Sequence, residues 1–191
     1  MTQTELAAYF EQLADHVSLP LFLYNVPQYT GTVIKAGTVA RLSGHGNIRG
    51  IKESSGDMIH MHRLLRERGE GHFILLVGDE TLLGKCLKLG CNGGVIGGAN
   101  MFPALYVRLY EAATRKEPEQ VEKWQAWINR VQREIYRAVN SPVQIIIGIK
   151  YVLSVKGICS SQMAMPVYAP LTGEQKKTME GLTSEFDKMG L

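Results

Sequence analysis

No stretch of this sequence is long and apolar enough to cross a bilayer. The most apolar window, residues 143–155, is broken by Gln144 and Lys150 and is too short for a span. The first residues lack the charged-then-apolar layout of a secretion signal. Charge of one sign is also scarce, since 21 lysines and arginines against 18 acids leave a net charge of +3. The basic residues are scattered, which gives no footprint for nucleic acid. Cysteine is limited to Cys86, Cys91 and Cys159, an odd number without metal-like spacing. Reduced thiols in a cytoplasmic protein are therefore expected. The histidines, His16, His45, His60, His62 and His72, have neither the spacing nor the setting of a metal site. Gly50-Ile51-Lys52 is not a phosphate loop, because the spaced glycines before a Gly-Lys-Ser/Thr are missing. What remains is a soluble globular protein of 191 residues, 45% apolar and 20% charged. That is enough for one domain with a sizeable core, or for a large piece of one.

The chain begins with a helix and no strand before it. Thr2-Gln3-Thr4-Glu5 fits a capping box, and Leu6, Phe10, Leu13 and Val17 recur at helical spacing, which predicts a helix over residues 4–16. Residues 21–24 form a short apolar strand stopped by Asn25-Val26-Pro27, and a helix is expected over 33–42. The unit then repeats: strand 48–53 and helix 57–68, with Met58, Met61, Leu64 and Leu65 inward, then strand 73–77 and helix 80–89. Strand 94–97 and helix 103–115 complete the series. Four strand–helix units of roughly 25 residues imply a parallel sheet with right-handed crossovers. After residue 115 the pattern is helical: 118–139, 143–156, a loop at 166–170, and a last capping box at Thr172-Gly173-Glu174-Gln175 opening a helix to about Met189. A closed eightfold βα barrel needs about 250 residues. The chain is either an open four-stranded α/β sheet or the second half of a barrel.

Tyr24, Lys52, Gly78-Asp79-Glu80 and Gly97-Gly98-Ala99-Asn100 all follow strand ends. Parallel α/β proteins gather their chemistry there, so these loops are expected on one face. A lysine amine is a poor nucleophile while protonated. Desolvation in a barrel mouth favours its neutral form, which attacks a carbonyl to give an iminium, an electron sink for making or breaking the neighbouring carbon–carbon bond. A buried tyrosine hydroxyl serves as a proton relay for such a step. The plain structural readings are that Lys52 is a surface cation, Tyr24 an amphipathic core residue, and Asp79 and Glu80 a helix start.

In order along the chain come Tyr24-Asn25-Val26-Pro27, then Gly50-Ile51-Lys52-Glu53-Ser54-Ser55-Gly56-Asp57, then Leu76-Val77-Gly78-Asp79-Glu80 and Gly90-Cys91-Asn92-Gly93-Gly94-Val95-Ile96. This succession resembles the dihydrodipicolinate synthase / N-acetylneuraminate lyase family of class I aldolases. The likeness covers nearly the whole chain, including Gly148-Ile149-Lys150 through Gly157-Ile158 and residues 166–171. It implies an α/β fold, the second half of a TIM (β/α)8 barrel with strands equivalent to 5–8 in residues 1–115, and a C-terminal helical extension in 116–191. It implies that Lys52 is the Schiff-base lysine and Tyr24 the proton-relaying tyrosine, with Gly78 and Ile96 lining the pocket. The substrate would be pyruvate or a related 2-keto acid. The resemblance implies no cofactor or metal, a homo-oligomer, and no nucleic-acid or membrane partner. The family's Gly-Thr-Thr-Gly-Glu-like carboxylate loop does not occur here, so Met1 is expected to be an internal methionine of a longer protein. Tyr29 stands where true dihydrodipicolinate synthases tend to carry an arginine, and Glu80-Thr81 occupies the place of the acidic pair of sialic acid lyases. A general 2-keto acid aldolase or dehydratase-like member is expected; a catalytically incomplete half-barrel that binds or self-associates without turnover is the alternative.

Overall fold

The computed structural model describes residues 1–69, 72–159 and 170–191. These form two compact units, Met1–Val95 and Ile96–Leu191.

The first unit is a parallel sheet with helices between its strands. Helix α1 (Gln3–His16) opens on the expected capping box: the Thr2 hydroxyl accepts from the Glu5 N–H, and the Glu5 carboxylate accepts from the Thr2 N–H. Its packed stripe is Leu6, Ala7 and Ala14, whereas Leu13 stays exposed. Small alanines let α1 lie close against its neighbours, which turns the predicted stripe. Strand β1 (Leu21–Asn25) is followed by a single turn, α2 (Pro27–Thr30), where the sequence predicts only a strand stop. Helix α3 (Ala36–Leu42) starts later than the predicted residue 33. Lys35 is its extended N-cap residue, and the segment before the helix is tied down by the Ile34 N–H to Asn25 Oδ1 and the Lys35 N–H to Gln3 Oε1. Strand β2 (Ile48–Glu53), α4 (Met58–Glu67), β3 (Ile74–Val77), a 3₁₀ turn (Glu80–Leu82) with α5 (Leu83–Lys88), and β4 (Gly93–Gly94) complete the unit. Met61 and Leu64 of α4 are buried as expected, while Met58 and Leu65 are half-buried. The fourth strand is two residues long rather than the predicted four, and begins one residue earlier.

The sheet order is β1-β2-β3-β4, all parallel. Its two faces differ. Leu23, Ile51, Leu75 and Val77 are buried on the side of the helices, whereas Phe22 and Tyr24, in the alternate positions, remain 44% and 49% exposed. Gly50 sits in the row between Phe22 and Ile74, where a Cβ would lie 2.4 Å from the Ile74 carbonyl oxygen and 2.5 Å from the Phe22 ring. A glycine is what lets that ring lie across the strand.

The second unit is helical among its described residues. After a 3₁₀ turn (Gly98–Asn100) come α6 (Pro103–Thr114) and α7 (Pro118–Val131), then α8 (Gln144–Val155) and α9 (Gly173–Lys188). The βα pattern that sets residues 1–115 apart in the sequence ends with α6, which packs along α7. The helix expected as one piece over 118–139 gives way at Gln132–Tyr136 to a π turn. There α8 approaches so closely that a Cβ on Gly148 would stand 2.7 Å from Ile135 Cγ2. Phe102, Trp127 and Phe186 stack in the core, and Arg130 bridges Glu134 and Glu185. Most of the loop expected at 166–170 lies outside the described residues. No helix among the described residues is long and apolar enough to cross a membrane.

Candidate active site

Tyr24 and Lys52 are direct partners across the β1–β2 ladder, and Leu76 of β3 pairs with Lys52 on its other side. Partners in one row leave the sheet on the same face, so the phenol and the amine rise side by side. Lys52 Nζ lies 4.5 Å from the centre of the Tyr24 ring, a distance at which an ammonium is attracted by the ring face. Lys52 is half-buried. The buried hydroxyl expected of Tyr24 is not what the structure holds, because β1 presents this side chain on the face away from the helices.

Beyond the strand ends the ladder continues for one more rung. The Ser54 N–H donates to the Asn25 carbonyl at 2.9 Å, the Gly78 N–H to the Glu53 carbonyl at 2.7 Å, and the Val95 N–H to the Val77 carbonyl at 3.0 Å. The loops there also hold one another. Gln28 Nε2 donates to the Ser54 carbonyl at 2.9 Å, and Ser54 Oγ fills the space beside Gly78, where a Cβ would come within 1.8 Å of it. Gly56 adopts φ +77°, and a Cβ on it would stand 3.1 Å from Asp79 Oδ2. Asp79 caps the next turn by accepting from the Thr81 N–H, the helix-starting role read from the sequence. Gly78 thus stands at the mouth beside Lys52's strand, and its lack of a side chain answers first to Ser54. Ile96 begins the second unit, with the Gly98–Asn100 turn after it. Tyr29 is exposed on α2.

A polar cluster lies on the opposite face, one residue along each strand. Asn25 and Glu53 are ladder partners, 0% and 2% exposed. Glu53 Oε2 accepts from Asn25 Nδ2 at 2.6 Å and Oε1 from the Ser55 N–H at 2.6 Å. His60 Nε2 is 3.3 Å from Oε2, within ion-pair reach although not aligned as a hydrogen bond. Burial alone pushes the Glu53 carboxyl up, but the contacts from His60, Ser55 and Asn25 outweigh it and hold the group below the ordinary carboxyl value. Asn25 and Glu53 fall within the strand-end motifs, but the sequence alone assigns them no role. The available signal was periodicity, since each is a polar residue at the next position of an inward row, after Leu23 and after Ile51.

A hollow of about 730 Å³ in this unit lies on the helix side beside Lys35, His60 and Arg63, and does not include Lys52. Among the described residues no group of three His, Cys, Asp or Glu side chains is placed to hold a metal ion.

A model of the dihydrodipicolinate synthetase family matches residues 1–185. A 4-hydroxy-tetrahydrodipicolinate synthase of Chlorobium limicola is 30% identical over 191 residues, which is 100% of this chain and 61% of that protein. The dihydrodipicolinate synthase structure from Bacteroides thetaiotaomicron superposes with a TM-score of 0.89 at 31% identity, covering 97% of this chain and 62% of that one. A prophage protein of the dihydrodipicolinic acid synthase family from E. coli K12, solved in complex with pyruvate, gives a TM-score of 0.85 at 25% identity, over 98% and 62% of the two chains. The chain thus spans about three-fifths of the length of these relatives, so the expectation of a match to half alone is not borne out.

Proposed function

The chain belongs to the dihydrodipicolinate synthetase family, and on that premise we propose that it acts on pyruvate or a related 2-keto acid through a Schiff base on Lys52. The four βα units are then four of the eight in a (β/α)8 barrel, with residues 116–191 as a helical extension. The single observation that carries this reading is the shared row of Tyr24 and Lys52, with Nζ 4.5 Å from the phenol ring at the carboxyl end of a parallel sheet.

The steps follow from the groups present. The unprotonated Lys52 amine adds to the keto carbon, and the carbinolamine loses water to leave an iminium. Electrons from the bond beside it flow into the carbon–nitrogen double bond, so a carbon–carbon bond breaks, or in reverse forms, at the neighbouring carbon. The Tyr24 hydroxyl passes the protons that addition and dehydration require. Water then cleaves the imine and regenerates the lysine. Gly78, at the end of β3, lines the site for the keto acid. Tyr29 in place of an arginine removes a cation that would pair with a second substrate's carboxylate, which favours a general 2-keto acid aldolase or dehydratase-like member, with sugar acids among its substrates, over the synthase itself. The same reading carries a homo-oligomer in the cytoplasm that needs no cofactor and has no nucleic-acid or membrane partner.

A second reading is favoured by the exposed face of Phe22 and Tyr24 and by the three-fifths coverage of the relatives. In it, the chain is an incomplete barrel that binds a keto acid or self-associates without turnover. Incubation with pyruvate and borohydride, followed by an assay for aldol cleavage, separates the outcomes. An adduct with turnover supports the enzyme, an adduct without turnover supports the incomplete barrel, and no adduct on the protein overturns the Schiff-base assignment.

A further inference from the structure

Glu53 and Asn25 do not touch the face on which the amine stands, yet each is bonded in sequence to one of the two residues that form it. Burying a carboxylate is unfavourable unless its oxygens are well matched, and here they are. One oxygen binds the Asn25 amide on the neighbouring strand at 2.6 Å, and the other binds the N–H of Ser55 in β2's own outgoing loop at 2.6 Å. His60, on α4, stands 3.3 Å away. The far end of the Asn25 amide accepts from the Ile34 N–H at 2.9 Å, which ties the segment leading to α3 into the same cluster. One carboxylate therefore joins the ends of β1 and β2, the loop after β2, and α4.

Successive side chains leave a strand on opposite faces, so fixing Asn25 and Glu53 on one side fixes the directions of Tyr24 and Lys52 on the other. An apolar pair would fill the same volume without setting register, because dispersion contacts tolerate sliding and hydrogen bonds of this geometry do not. We infer that Glu53 is a positioning residue: through Asn25 it locks the ends of β1 and β2 in the register that holds Lys52 Nζ beside Tyr24. The inference rests on Lys52 being the imine-forming amine.

The test is an exchange of the two polar groups. In Glu53→Gln the amide must keep its oxygen toward the Ser55 N–H, which sets its NH2 against the NH2 of Asn25. In Asn25→Asp two carboxylates face each other. The double exchange, Glu53→Gln with Asn25→Asp, moves the donor to the other strand, keeps the Ile34 and Ser55 bonds, and retains one negative charge within the pair. Expected in the full chain is a fall of about tenfold or more in the rate of borohydride trapping of pyruvate at Lys52 in each single variant, with recovery in the double. Proton–proton NMR contacts between the Lys52 side chain and the Tyr24 ring are expected in the wild type and the double, and lost in the singles. If the singles do not fold, the double alone decides. A double that regains thermal stability without regaining the trapping rate or the Lys52–Tyr24 contact overturns the inference, as do singles that trap at the wild-type rate. A wild type that forms no adduct at all sinks the functional reading instead, and the NMR contact then judges the positioning role by itself.

Discussion

Lys52 and Glu53 are neighbours in one strand that do opposite things: one reaches the open face of the sheet and the other is enclosed beneath it. The enclosed carboxylate gives stability a defined pH dependence. Its folded-state value is held below the ordinary 4.5, so its share of stability is fully present above that value and is lost as the pH falls through the lower one. Thermal unfolding between pH 6 and pH 3 is expected to show a steeper loss in the wild type than in Glu53→Gln, which starts less stable but has no such group to protonate; parallel curves would contradict this. Gly78 carries a second residue-scale expectation. A Cβ there meets Ser54 Oγ at 1.8 Å and Ser54 Cβ at 2.8 Å, so Gly78→Ala is expected to destabilise by about 1–3 kcal/mol, with Ser54→Gly relieving the strain in the double variant. Denaturant melts of the three variants measure it. The strand-end placement of Tyr24 and Lys52 was legible from the sequence because each closes a short apolar run before a turn. Glu53 was not, since only its register opposite Asn25 reveals that the two polar groups satisfy each other, and register is a property of two strands at once.

Elements were legible where a side-chain period exists to be read. The first three strands follow from apolar runs alternating with helical spacing, and the parallel pairing bears out the expectation of a parallel sheet. The fourth strand was misjudged because Gly93-Gly94 offers no side chains from which to read a length. The late start of α3 was hidden because the segment before it is tied down by Gln3 and Asn25, distant in sequence. The π turn before α8 was hidden for a similar reason, since it lies where Gly148 of another helix packs against Ile135. Caps are local and were read correctly. Thr172 accepts from the Gln175 N–H while the Gln175 side chain accepts from the Thr172 N–H. Removing that hydroxyl in Thr172→Ala is expected to cost about 1 kcal/mol in a chemical melt. An unchanged midpoint would mean that α9 is held by Phe186 and its packing alone.

At the scale of the whole molecule, the sheet of the first unit ends in β1 on one side and β4 on the other, and its open face carries Phe22 and Tyr24. Unpaired edges and an exposed apolar face favour association. Sedimentation is expected to show larger species whose share rises with concentration, and a monodisperse monomer at all concentrations would contradict that. The family assignment and the α/β architecture were both available from ordered motifs, because short strand-end sequences are local and do not depend on a complete barrel. The extent of the match was misjudged: the missing carboxylate loop points to half of a family member, whereas the chain spans about three-fifths of the relatives' length. The most direct test of the central claim is peptide-resolved mass spectrometry after treatment with pyruvate and borohydride. One reduced pyruvyl group on the peptide containing Lys52, absent in Lys52→Arg, is the expected result; an unmodified Lys52, or label spread over the other lysines and retained in Lys52→Arg, would contradict it.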